Sequence, residues 1–139
     1  MSPALRWSIL ITDILFLVYW SISLVALTGA ITLPATFMYG GFDQPRVVAW
    51  NWSFLPLDVA FSISGLMAVG AARRGDPAWR SLALISLCFT IAAGGLAIGY
   101  WTILQEFDPA WFLPNLAIFL WPFIFLPKLV RPERTTSQA

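Results

Sequence analysis

Four long apolar runs, separated by short clusters of charged and turn-forming residues, set the pattern of this chain. They cover about 8–28, 51–71, 81–104 and 111–130, and a helix needs about 20 largely apolar residues to cross a bilayer. The pattern predicts an all-α membrane protein, a single domain forming a four-transmembrane-helix bundle over 1–139. The first run follows one positive charge, Arg6, and contains Asp13 and Tyr19-Trp20. It is longer than the apolar core of a secretory signal and reads as an uncleaved anchoring span. Thr28-Gly29-Ala30 and Pro34 end it. The connection over 29–48 is broken by Gly40-Gly41, Asp43 and Pro45 yet carries Phe37, Met38, Tyr39 and Phe42. Loops longer than about 12–15 residues tend to be functional or to hold a short element, so an interfacial helix or a cap over the bundle is expected there.

Pro56 falls in the first turns of the second span, where its missing N–H costs least. Arg73-Arg74-Gly75-Asp76-Pro77 then makes a helix-stopping turn. In the third span Gly95 and Gly99 stand four apart, the small-xxx-small spacing that predicts a close helix crossing. An acidic turn over 105–109 leads into the last span, whose Pro114, Pro122 and Pro127 predict a kink near Pro122. Residues 131–139 are polar and basic and read as a flexible tail.

Charge orients this pattern. Of the eight basic residues, Arg6, Arg73, Arg74, Arg80, Lys128, Arg131 and Arg134 fall on one side, and Arg46 lies opposite with Asp43, Glu106 and Asp108. The positive-inside rule places both termini in the cytoplasm and the long first loop outside.

Composition then excludes whole classes of chemistry. With 59% hydrophobic and 11% charged residues, the chain lies far from a soluble domain, where about a quarter of residues are charged. A net charge of +1 with no basic patch argues against nucleic acid. Cys88 is the single cysteine, so an internal disulfide and a CxxC redox pair are impossible. Histidine is absent, which removes bis-histidine haem, histidine-based zinc and copper sites, and a Ser-His-Asp triad from a single chain. No catalytic residue, cofactor or metal is expected.

What remains is a set of polar groups inside apolar runs. A carboxylate at the centre of a spanning helix costs about 2.5–3.5 kcal/mol on an insertion scale, so Asp13 and Asp58 each demand a partner, a wet cavity or a proton. Their positions put them at different depths, which argues against a directly paired dyad. Asn51, Asp58, Ser62 and Gly65 are spaced by 7, 4 and 3, one stripe of a continuous helix. Ser86, Thr90, Ala93, Ala97 and Tyr100 form a matching stripe on the third span. An antiparallel bundle brings Tyr100, Trp101, Gln105 and Asn115 to the depth of Asp58, so Asp58, Asn51, Tyr100, Trp101, Asn115 and Asp13 are the candidate ligand-binding residues. The alternative is that Asp58 only cross-links helices through Tyr100, Asn115 or a tryptophan N–H, and that Asp13 reaches Arg6 or a hydroxyl. Trp7, Trp50, Trp52, Trp79 and Trp111 fit an interfacial belt; Trp20, Trp101 and Trp121 lie deeper, where packing is the commoner role.

Several motifs carry a family resemblance: Asp13 with Tyr19-Trp20, VVAWNWSFLPLD over 47–58, FDPAW over 107–111, PNL over 114–116 and FLPKLV over 125–130. Together these resemble the small YvaD-type bacterial membrane proteins, with WNWSFLPLD the most specific part. The resemblance implies four spans and a multi-pass location in the bacterial inner membrane, and it brings no catalytic residues. A looser architectural similarity to the sterol-isomerase and sigma-receptor-like bundles shares no motif and stands as analogy.

The expected role is a non-enzymatic accessory or interaction subunit, because no catalytic constellation is present. The alternative is binding or transport of a small molecule or cation through an outward-facing polar pocket around Asp58. A third is an isomerase-type membrane enzyme using Asp58 as acid or base. Expected partners are the lipid bilayer and other membrane protein subunits or a second copy of this chain.

Overall fold

The computed structural model describes residues 1–131, so all but the first residue of the expected tail lies outside the described residues. Helix α1 (Pro3–Leu27) starts at Ser2, whose hydroxyl accepts the Leu5 N–H, with Pro3 in the first turn where no N–H is needed. A 3-10 turn, Ala35–Phe37, interrupts the long connection, and helix α2 (Pro45–Trp52) follows. Helix α3 (Leu55–Arg73) and helix α4 (Trp79–Leu104) are joined by a tight turn in which Gly75 takes a positive φ of 71° and the Asp76 N–H closes on the Ala71 carbonyl. Helix α5 (Pro109–Leu120) is capped by Asp108, and helix α6 (Leu126–Val130) completes the described chain. All regular elements among the described residues are helical, and four helical stretches are long and apolar enough to cross a membrane: Pro3–Leu27, Pro45–Arg73, Trp79–Leu104 and Pro109–Val130.

Two breaks shape these stretches. The one unbroken helix expected to carry Asn51 together with Asp58 is two helices: the chain turns at Ser53-Phe54, Asn51 belongs to α2, and Pro56 opens α3. Pro56 has no N–H to bond back to the Trp52 carbonyl and its ring crowds that carbonyl, so the ladder of α2 stops there and α3 begins at Leu55. At Pro122 the last stretch changes from α5 to a 3-10 helix, Trp121–Ile124, and then to α6. Proline has no N–H for the α-helical bond and its ring crowds the carbonyl four residues back; tightening to 3-10 geometry relieves both.

Helix α1 packs on α3, α3 on α4, and α4 on α5. Three clusters fill the interior. At the end carrying Arg6, Leu5 and Ile9 of α1 meet Ala68, Val69, Ala83, Leu87 and Leu129, with Trp121 and Phe125 against them. In the middle, Trp20, Phe54, Phe61, Ala93 and Ala97 pack together. At the opposite end Tyr39, Val47 and Trp101 form a small core under the α1–α3 connection. Outward, Ile11, Ile14, Leu15, Val18, Ile22 and Val25 leave one side of α1 apolar and exposed, the surface a bilayer would cover.

The close helix crossing lies one residue from the expected place. A Cβ on Gly94 would sit 2.6 Å from the Phe119 nitrogen and 3.0 Å from the Asn115 carbonyl oxygen, so α4 and α5 approach backbone to backbone there. Gly95 meets only the Phe119 ring, at 3.2 Å, and Gly99 has nothing within 4 Å. The spacing of 95 and 99 fits the motif, but α4 is rotated so that the Ala93–Gly94–Ala97 side faces its partners.

Candidate functional site

Between α1, α3, α4 and α5 lies a cavity of about 280 Å³, at the lower edge of ligand-pocket sizes, roughly 300–1,000 Å³. Its wall is aromatic: Phe16, Tyr19 and Trp20 from α1, Trp50 from α2, Trp101 from α4 and Trp111 from α5. Asp58 lines it from the first turns of α3, with Asn51 and Asn115 as further polar groups. Small residues of α4, Ala93, Gly94 and Ala97, leave the room.

Asp58 is 3% exposed. The Trp20 indole N–H donates to its Oδ2 at 2.9 Å, and among the described residues no hydrogen bond reaches its Oδ1. A buried tryptophan N–H needs an acceptor, and facing helices bring Trp20 to this one across 38 residues of chain. Trp20 is the partner that sequence reasoning left in a packing role; the signal was a deep indole with no other acceptor in view. Of the partners expected for Asp58, the tryptophan N–H is present, and Tyr100 and Asn115 are engaged elsewhere. The Asn115 amide donates to the Trp111 carbonyl at 2.8 Å, and Tyr100 stacks flat on Trp50 with ring centroids 3.8 Å apart.

Four of the six candidate residues, Asp58, Asn51, Trp101 and Asn115, thus line one cavity, while Tyr100 backs its Trp50 wall from outside. Asp13 is elsewhere. It is 1% exposed and faces Gly65 and Ser86, and its Oδ2 would collide with any Cβ placed at position 65. The expected contact from Arg6 or a hydroxyl to that oxygen is not made: Asp13 Oδ2 and Arg6 Nε are both buried without a hydrogen-bond partner among the described residues. Arg6 stands two turns from Asp13 on α1, and its guanidinium lies 5.8 Å from the Trp7 ring.

Polar and aromatic side chains line the cavity on the side of the α1–α3 connection. The Tyr19 hydroxyl and the Asn51 amide exchange hydrogen bonds of 3.4 and 3.2 Å, and the Trp111 indole donates to the Met38 carbonyl at 3.1 Å. A second hollow of about 170 Å³ lies beyond, sharing Tyr19, Tyr39, Asn51 and Trp111 with the first. Burial pushes the Tyr39 hydroxyl above the usual tyrosine range, with the nearby Tyr19 adding in the same direction.

Among the described residues no group of three acidic, cysteine or histidine side chains could hold a metal ion. The site defines a class: a helical protein with a carboxylate in an aromatic cavity enclosed by membrane-length helices. By sequence the chain belongs to a family of unknown function (DUF5360), whose model matches residues 5–136. The uncharacterized protein YvaD of Bacillus subtilis (strain 168) is 35% identical to it over 130 residues, 94% of each chain, in keeping with the motifs noted above. No solved structure matches.

Proposed function

We propose that this chain is a multi-pass protein of the bacterial inner membrane, with both termini cytoplasmic, and that it binds a small organic cation with an apolar body in the Asp58 cavity. One observation carries this reading: a buried carboxylate, held on one oxygen by Trp20, lines an aromatic cavity while its other oxygen has no partner among the described residues. An ammonium group satisfies that oxygen and gains from the surrounding ring faces, a cation–π attraction of about 0.5–2 kcal/mol per ring depending on desolvation. The rest of the ligand replaces water against tryptophan and phenylalanine.

Benzyltrimethylammonium, a permanent cation on an aromatic body, tests this against its neutral carbon isostere, neopentylbenzene. Detergent-solubilised protein should bind the cation at least tenfold more tightly, with Asp58→Asn folded and stripped of that preference. Equal affinity for the two compounds in the wild-type protein rejects the reading. Tags at Met1 and Ala139 that react only from the cytoplasmic side support the orientation, and labelling of either from outside rejects it.

The accessory-subunit role is the second reading, favoured by the exposed apolar residues Leu113, Leu120, Phe123 and Ile124 along the last stretch. Lipid covers such residues equally well. Purification from native membranes as part of a larger complex would favour the subunit role. The isomerase reading gains least, because among the described residues no second acid or base other than Tyr19 and Tyr39 lines the cavity with Asp58.

A further inference from the structure

Three buried polar atoms lack a hydrogen-bond partner among the described residues and follow one face of α3: Asp58 Oδ1, Ser62 Oγ and Asp13 Oδ2. Ser62 stands one turn from Asp58, about 6 Å along the axis, and Gly65, on which Asp13 Oδ2 rests, about 4.5 Å farther. A serine inside a helix ordinarily turns its hydroxyl back to a carbonyl of the preceding turn. Ser64 does so to Ala60 and the neighbouring Thr90 to Ser86, both at 2.8 Å. Ser62 makes no such bond although it is fully buried. The absence of a side chain at Gly65 lets Asp13 Oδ2 and Ser86 Oγ converge on the α3 backbone, where an added Cβ would lie 2.8 Å from the serine oxygen.

The charged surroundings favour passage in one direction. The cavity at Asp58 is lined by no other charged side chain among the described residues; Trp20 and Tyr19 face it from α1, Asn51 from α2 and Asn115 from α5. Around Asp13, α1 contributes Arg6, two turns away. Helix α3 contributes Asp58 beyond Ser62, with Arg73 at its far end. Helix α4 contributes Arg80, whose guanidinium donates to the Leu129 and Lys128 carbonyls at 3.0 and 2.7 Å, and α6 contributes Lys128 itself. Among the described residues, every basic side chain on α1, α3, α4 and α6 lies on the Arg6 side of Asp13, and Arg46 of α2 lies at the opposite end.

Resting on the ligand reading above, we propose that Asp58, Ser62 and Asp13 form a proton relay, and that an organic cation bound at Asp58 is exchanged for a proton released at the Arg6 end. Asp13 gives its proton out at that end. The Ser62 hydroxyl passes its own proton to the Asp13 carboxylate and takes one from the Asp58 carboxyl, once side-chain rotation makes the two hydrogen bonds that the resting arrangement lacks. The Asp58 carboxylate then pairs with the incoming cation. One positive charge enters and one leaves, and no electrons are transferred.

The test uses full-length protein in liposomes that enclose a pH-sensitive dye, with benzyltrimethylammonium added outside. The probe carries no exchangeable proton, so any proton movement belongs to the protein. In vesicles whose Arg6 end faces inward, the wild-type interior should become acidic on addition of the probe. Asp13→Asn should bind the probe with the wild-type Kd and slow the acidification at least tenfold, and Ser62→Ala, which removes a hydroxyl holding no hydrogen bond, should slow it several-fold. Probe binding without a pH change in wild type overturns the relay and leaves the ligand reading standing. No probe binding at all overturns both. Wild-type proton rates in Ser62→Ala overturn the path even where Asp13→Asn does not fold.

Discussion

Asp58 and Asp13 are the same residue, equally hidden and both on long apolar helices, yet their surroundings differ in kind. Asp58 has a donor on one oxygen and none on the other among the described residues, and it lines a wall of aromatic rings. Asp13 has a bare glycine and a serine against it, and no donor to its Oδ2 among the described residues. Burial alone therefore says little about what a carboxylate does. What lies beside each is what differs: a ring-lined cavity at Asp58, a glycine at Asp13.

Each carboxylate region also depends on a glycine, which gives the sharpest way to break the comparison. Gly94→Ala presses a methyl group into the backbone of α5, at 2.6 Å from the Phe119 nitrogen. A helix cannot move aside locally, so the expected loss is about 3 kcal/mol, read as a lower thermal midpoint in detergent. Trp20→Phe comes next: it leaves Asp58 Oδ2 without its indole donor, and a loss of about 2 kcal/mol is expected. Asp58→Leu strands the same indole from the other side. Gly65→Ala should cost less than either, about 1–2 kcal/mol, because the atoms it strikes are the ends of Asp13, Ser86 and Ile9 side chains. A Gly65→Ala protein as unstable as Gly94→Ala would mean the Asp13 niche is as rigid as the helix crossing. Gly99→Ala meets nothing within 4 Å and should be neutral or stabilising by up to about 1 kcal/mol through helix propensity.

The smallest effect is a titration. With the Tyr39 hydroxyl raised above its ordinary value, the folded protein binds more protons than the unfolded chain once pH exceeds about 10. Tyr39 thus contributes stability in full below that pH, and the contribution is lost as pH rises through the folded value. Ultraviolet titration of tyrosinate should show a late component that Tyr39→Phe diminishes.

The apolar periodicity was enough to read the four membrane-length helical stretches and the shared stripes of small and polar residues on α3 and α4, because a helix repeats its faces every few residues. The turn signals at Gly75 and Pro122 were local and equally readable. What escaped was rotation and long-range pairing. Whether Gly94 or Gly95 faces α5 depends on how α4 is turned by all its neighbours at once, and a four-residue spacing fits either choice. Trp20 meets Asp58 because two helices lie side by side, a fact no window of sequence contains. The break at Ser53-Phe54 was signalled by Pro56, but a proline in the first turn of a helix and a proline just after a break leave the same trace.

The Arg80 clamp has a consequence for the order in which the chain is made. Its guanidinium, in the first turn of α4, holds the carbonyls of Lys128, Leu129 and Arg131, which follow it by 48, 49 and 51 residues. Helix α6 has only five residues, too few to persist unaided. At synthesis rates of about 5–20 residues per second, these carbonyls emerge roughly 3–10 s after Arg80. The clamp is thus a late step of biogenesis, and shortening the chain ahead of residue 128 would leave Arg80 without the carbonyls it holds.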